Sequence, residues 1–303
     1  MEEIEAFKKH LAAKDMSSAT ATQYVYYVEA FQAFIGIDLL AVTEENLTNY
    51  LLHLRKRKIG KSSIKRYFSG INSYYKFLVR KKYIPTNPVP DFRDEYLRSY
   101  KDQIPSQRRQ IISIERAKAL VQSILDPRER AVVVTLFKTG VRCHELSEID
   151  LADVDIPNLT IRLKPTGKRS NEIVYFDDEC AFVLRRWLKQ REKDDIHKNP
   201  AFFLNRYGER LSPVAVSRIV AKYAIANGLH NPNSGRSHLQ DRFTTHCCRH
   251  AFTTWLQRTP MKREFVKELR GDARREAIDL YDHIDQEELK EAYLLYMPRL
   301  GII

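Results

Sequence analysis

The sequence predicts a mainly helical protein with a small β-sheet, in two domains, on three observations. Glycine and proline are scarce, at 10 and 12 of 303 residues, which leaves too few turns for a sandwich or a barrel. Apolar residues recur at spacings of three and four through most of the chain, the period of an amphipathic helix. Two short stretches, 159–163 and 172–176, alternate instead as strands do. With 43% hydrophobic and 11% aromatic residues, the chain has the material for real cores, and wholesale disorder is excluded.

The first domain is expected over residues 1–90. Ser17 or Ser18 caps a helix carrying Tyr24, Tyr27, Val28, Phe31 and Phe34, and Thr43 with Asn46 or Glu45 opens another. Leu47, Tyr50, Leu51 and Leu54 repeat helically, as do Ile64, Tyr67, Phe68, Ile71 and Tyr75. Four or five short helices fill this part. Pro85, Pro88 and Pro90 interrupt any helix, and a linker is expected over 91–110.

The second domain is expected over 111–285. It opens with Ile114, Ala117, Leu120, Val121 and Ile124 on one helix face, followed by a buried-looking run from Ala131 to Phe137 that stops at Thr139-Gly140. The two strands flank a hairpin tip at Pro165-Thr166-Gly167-Lys168, and helices resume at Asp177. Ser212-Pro213 caps a helix that turns Val216, Ile219, Val220 and Tyr223 inward. A tail helix is expected in 286–303, its apolar stripe Leu289, Ala292, Tyr293 and Tyr296 too short to form a core of its own. It must cover a surface, of this chain or of another copy.

Charge points to a partner. Lys and Arg number 51 against 39 Asp and Glu, a net charge of +12, which suits a polyanion. No acidic residue occurs from Asn46 to Pro90, while eleven basic ones lie between Arg55 and Lys82. Aromatics are interleaved with them, so the segment can form a core on one side and a phosphate-facing surface on the other. Lys61, Ser62, Ser63, Lys65 and Arg66 are the candidate DNA-binding residues. No apolar run is long enough to span a membrane, and the acidic start lacks a signal peptide's pattern. The four cysteines, Cys143, Cys180, Cys247 and Cys248, form no spaced disulfide framework. A cytoplasmic protein is expected.

There is no Gly-rich phosphate loop and no carboxylate cluster for paired magnesium ions. Adjacent Cys247 and Cys248 do not match a closed zinc site. No metal or nucleotide cofactor is expected. The second domain instead carries Thr139-Gly140-Val141-Arg142-Cys143-His144-Glu145-Leu146, then a basic hairpin, then His246-Cys247-Cys248-Arg249-His250, then Gly271-Asp272 before Tyr281. His246, Arg249 and His250 share a face if helical.

In order and spacing, this set resembles the tyrosine recombinase, or phage integrase, family in its Xer-like two-domain form, over nearly the whole chain. The resemblance implies a helical, SAM-like core-binding domain that clamps double-stranded DNA, a mixed α/β catalytic domain, and a tetramer assembled on DNA. It also implies site-specific strand cleavage and exchange. Tyr281 is then the nucleophile that forms a 3′-phosphotyrosine link, Arg142 and Arg249 clamp the phosphate, and His246 assists proton transfer. A hairpin lysine protonates the leaving oxygen; Lys168 is the first choice and Lys164 the second. Asp272 falls in the catalytic set by position but departs from the family, where histidine or tryptophan is common; it is expected to orient Arg249 or a water, or to be held protonated, and Glu145 is expected to brace an active-site arginine or histidine. Two other readings share much of this set: a type IB topoisomerase, which nicks and reseals without exchange, and a non-catalytic DNA-binding regulator of the same fold.

Overall fold

The computed structural model describes residues 2–97, 110–165, 169, 171–193, 199–233, 239–271 and 284–303. The chain divides into two compact units, Met1–Pro105 and Ser106–Ile303.

The first unit contains five α-helices among its described residues: α1 (Glu2–Ala12), α2 (Ser18–Ile35), α3 (Glu44–Lys56), α4 (Lys61–Arg80) and α5 (Val89–Tyr96). The Ser17 hydroxyl accepts the Thr20 amide at the start of α2, and Gly36, with φ of 65°, closes it. Thr43 and Asn46 cap α3 reciprocally. Along α4 one face is aromatic and buried, with Phe68, Tyr74, Tyr75 and Phe77 at 2% exposure or less. Phe7 of α1 meets Tyr74 edge to face at 5.3 Å. Gly70 lets α2 and α4 cross closely: a Cβ there would stand 2.9 Å from the Tyr27 ring and 3.3 Å from the Tyr24 backbone.

The linker expected from residue 91 therefore needs correction, because residues 91–96 belong to α5. Pro88 and Pro90 do not break this helix but begin it, at positions whose missing N–H groups would have no intrahelical partner. Val89 and Phe92 then bury against the core of the first unit.

In the second unit α6 (Ile114–Gln122) leads to α7 (Pro127–Thr139), which is buried on every side from Ala131 to Thr139. The short α8 (Cys143–Ser147) follows, then three antiparallel strands, β1 (Val154–Asp155), β2 (Thr160–Arg162) and β3 (Ile173–Tyr175), in that spatial order. Ile161 pairs with Val154 on one side and Val174 on the other. Among the described residues the remaining α-helices are α9 (Asp178–Lys193), α10 (Pro213–Ala226), α11 (Thr245–Gln257), α12 (Arg263–Arg270) and α13 (Gln286–Tyr296). The buried α7 forms the axis against which α9, α10 and α11 pack.

The tail docks on its own unit. Leu289, Tyr293 and Leu300 are fully buried there, and the Tyr293 hydroxyl donates to the Lys138 carbonyl at 2.8 Å. The Lys138 ammonium, itself inaccessible to solvent, is held by Asp177 (2.5 Å), Glu179 (2.7 Å) and the Pro298 carbonyl (2.8 Å). Glu179 also accepts the Leu300 and Ile302 amides. A buried ammonium is tolerable because two carboxylates and a carbonyl replace its water.

Candidate active site

The site is assembled around the turn that follows α7. Gly140 ends that helix in the left-handed region, with φ of 62°. A Cβ there would lie 2.4 Å from the Phe252 ring, so this turn lies tight against α11 and only glycine fits. Two residues later Arg142 begins α8. Its backbone amide donates to one Glu145 oxygen and its Nη1 to the other, both at 2.7 Å. Glu145 is buried and Arg142 keeps a side-chain exposure of 30%, so the carboxylate fixes the arginine from behind while the guanidinium remains accessible from the surface.

Arg249 comes from the first turns of α11 and is 8% exposed. Its Nη1 donates to the Gly140 carbonyl and its Nη2 to the Arg270 carbonyl, both at 2.6 Å. One side chain thereby joins the α7–α8 turn to the end of α12. Burial, and then the neighbouring charges of Arg142 and Arg169, pull its pKa down to about 10, against the pull of Glu145. Even so, the group stays protonated near neutrality. The crowding of like charge makes an incoming phosphate anion favourable here. His246 lies one turn before Arg249 and is exposed. Cys247 and Cys248 are buried between them, and burial pushes the Cys248 thiol well up, so it packs rather than reacts.

Arg169, which carried no signal in the sequence beyond being a base at a hairpin tip, is buried here. Its side chain is 2% exposed and its Nη1 reaches Glu145 at 3.2 Å. Lys164, two residues beyond β2, is half-exposed and bound to Asp150 at 2.7 Å; Asp150 also receives Arg210. Those two partners hold the Asp150 carboxyl below its ordinary range, against the effect of burial. Lys168, Asp272 and Tyr281 lie outside the described residues. The structure thus brings together Arg142, Arg249, Glu145 and Arg169, with His246 on the same helix as Arg249. Among the described residues no group of His, Cys, Asp and Glu could hold a metal ion.

The first unit carries the other expected surface. On α4, Lys61, Ser62, Arg66, Lys76 and Arg80 are exposed and Ser63 and Lys65 half-buried, opposite the aromatic face. Among the described residues no helix is long and apolar enough to cross a membrane.

Comparison with known proteins agrees with this architecture. The phage integrase family matches residues 106–288, and the phage integrase N-terminal SAM-like domain matches residues 4–82. A tyrosine recombinase XerC of Pediococcus pentosaceus is 26% identical over 311 residues, covering 99% of both chains. One from Pelotomaculum thermopropionicum is 30% identical over 263 residues, covering 83% of this chain and 80% of that one. Among solved structures, a lambda integrase tetramer bound to a Holliday junction shares the fold with a TM-score of 0.66 at 17% identity, over 92% of this chain and 80% of that chain. With the integrase match spanning the whole α6–α12 framework that carries Arg142 and Arg249, this chain belongs to the phage integrase family.

Proposed function

We propose that the protein is a site-specific DNA recombinase that cuts and rejoins strands through Tyr281. The observation that carries this reading is the pairing of Arg142, held by Glu145, with Arg249, held by the Gly140 and Arg270 carbonyls. Two guanidinium groups fixed at one place suit the two non-bridging oxygens of a phosphodiester, because their planar forks match its geometry and they remain charged. The Tyr281 oxygen attacks phosphorus; a tyrosine–phosphate bond forms and the bond to the 5′-oxygen breaks. His246 assists the proton leaving the phenol, and Lys168 delivers one to the departing oxygen. The covalent link conserves the energy of the broken bond, so a 5′-hydroxyl from a second duplex can reverse the step without ATP or a metal ion. An ionised carboxylate would repel the phosphate, so Asp272 is assigned an orienting role towards Arg249 or a water molecule.

The basic face of α4 is the proposed DNA-backbone contact of the first unit, and four protomers on paired duplexes are the proposed working assembly. The test uses a duplex selected by the purified protein from a random-sequence pool, placed twice in a supercoiled plasmid. Exchange between the two sites, abolished in Tyr281→Phe, is expected. Relaxation of the plasmid without exchange, or binding with neither, contradicts the proposal.

A further inference from the structure

Arg169 has no place in the chemistry just described, yet its environment is built for it. A charged residue beside a hairpin tip is ordinarily solvated, and burying an unpaired guanidinium costs several kcal/mol. Here the side chain is 2% exposed and every part of its fork has a partner from a different piece of the fold. Nε donates to the Asn171 carbonyl on its own hairpin. Nη1 donates to Glu145 Oε2 at 3.2 Å, the oxygen that also accepts the Arg142 amide. Nη2 donates to the Leu269 carbonyl at the end of α12, at 3.4 Å.

The far end of the site is shaped to admit it. Gly271 closes α12 with φ of 63°, and a Cβ there would lie 2.7 Å from the Arg169 guanidinium carbon and 2.8 Å from its Cγ and Nε. The glycine that precedes the Asp272–Tyr281 segment is therefore also the floor on which Arg169 lies. Lysine could not make these bonds, since its single ammonium cannot serve acceptors on three elements at once.

We infer that Arg169 is a positioning residue that anchors the β2–β3 hairpin to the phosphate clamp, and so sets the reach of the hairpin's proton donor. The inference rests on the recombinase reading. Consecutive Cα atoms are about 3.8 Å apart, so pinning Arg169 limits how far its chain neighbour Lys168 can travel. The anchor acts on proton delivery to the 5′-oxygen, not on the clamp's hold on the phosphate.

A sulfur leaving group separates these roles, because a thiolate departs without a proton. Single-turnover cleavage is measured on the pool-selected duplex in nicked suicide form, with either an ordinary or a 5′-bridging phosphorothiolate scissile linkage. Arg169→Gln is expected to cleave the ordinary duplex about a hundredfold more slowly than the parent protein, the size of a general-acid contribution. On the sulfur-linked duplex it should come within about threefold of the parent. Gly271→Ala, which keeps the charge but fills the guanidinium's seat, should show the same sulfur-restored defect, and it preserves the test if Arg169→Gln does not fold. Variants equally slow on both duplexes would mean that Arg169 serves the clamp or the fold alone, and unimpaired variants that it positions nothing; either result overturns the inference. Lys168→Ala is run alongside. If it stays slow on the sulfur duplex while Lys164→Ala and Arg169→Gln are restored, the acid is Lys164 and the anchor stands. If neither lysine variant is restored, the proposed acid step fails, and the anchoring role falls with it.

Discussion

Helix α4 of the first unit and helix α11 of the second both carry basic residues suited to phosphate, but they hold them in opposite ways. On α4 the aromatic face is buried and Lys61, Arg66, Lys76 and Arg80 stand in solvent. Their attraction for a polyanion is additive, long-ranged and screened by salt. On α11 Arg249 is buried and fixed by two backbone carbonyls at 2.6 Å. Its value lies in geometry, which salt does not screen and a neighbour cannot replace. Under the proposed function, basic residues would thus serve capture in one unit and chemistry in the other.

The sharpest way to break this contrast is Arg249→Ala. Removing one preorganised donor costs about a thousandfold in rate at the upper end of such effects, so single-turnover cleavage of the suicide duplex should fall by about that factor. A loss of tenfold or less would place Arg249 outside the clamp. Next in size is the buried cation behind the site. Lys138→Ala leaves Asp177 and Glu179 without their shared partner and removes the bond to Pro298. Urea unfolding should show a loss of about 3–5 kcal/mol, and a loss under 1 kcal/mol would mean that the tail clasp contributes little.

Glu145→Gln probes the brace rather than the clamp. Burial alone would raise the Glu145 carboxyl, but the Arg169 charge and the bonds from Arg142 outweigh it and hold the group below its ordinary range. A depressed carboxylate stabilises the fold above its unfolded pKa, about 4.3, and loses that contribution as pH falls through the lower native value. The variant should cleave about tenfold more slowly, the scale of one charge-assisted hydrogen bond. Its stability should also depend less on pH across that acid window, which unfolding at a series of pH values reads directly. The smallest effect is expected on α4: Lys61→Ala with Arg66→Ala should lower the salt slope of DNA binding by about two, roughly one per phosphate contact. An unaltered slope would move the capture surface elsewhere.

Local patterns told most of the fold. Periodic apolar residues and the Ser17, Thr43 and Ser212 caps mark helices because those signals act within four residues. The signals failed where meaning depends on position or distance. Pro88 and Pro90 read as breakers until their place at the start of α5 is known, and β1 is only two residues long, too short to alternate. Arg142, Arg249 and Glu145 were legible as a set because their motifs lie in order along the chain. The role of Arg169 was not, since its burial depends on Gly271, about a hundred residues away. Nor could the sequence choose between a tail covering its own domain and one covering a neighbour. In this structure the tail lies on its own unit, where Lys138 meets the Pro298 carbonyl and Glu179 the Leu300 and Ile302 amides.

The proposed strand cleavage requires a phenolic oxygen to reach the phosphate held by Arg142 and Arg249. The direct measurement is mass mapping of the covalent complex trapped on the nicked suicide duplex, after protease and nuclease digestion. A nucleotide remnant joined through its 3′-phosphate to the peptide containing Tyr281 is expected. A remnant on any other residue, Tyr293 and Tyr296 included, or a 5′-linked one, would contradict it.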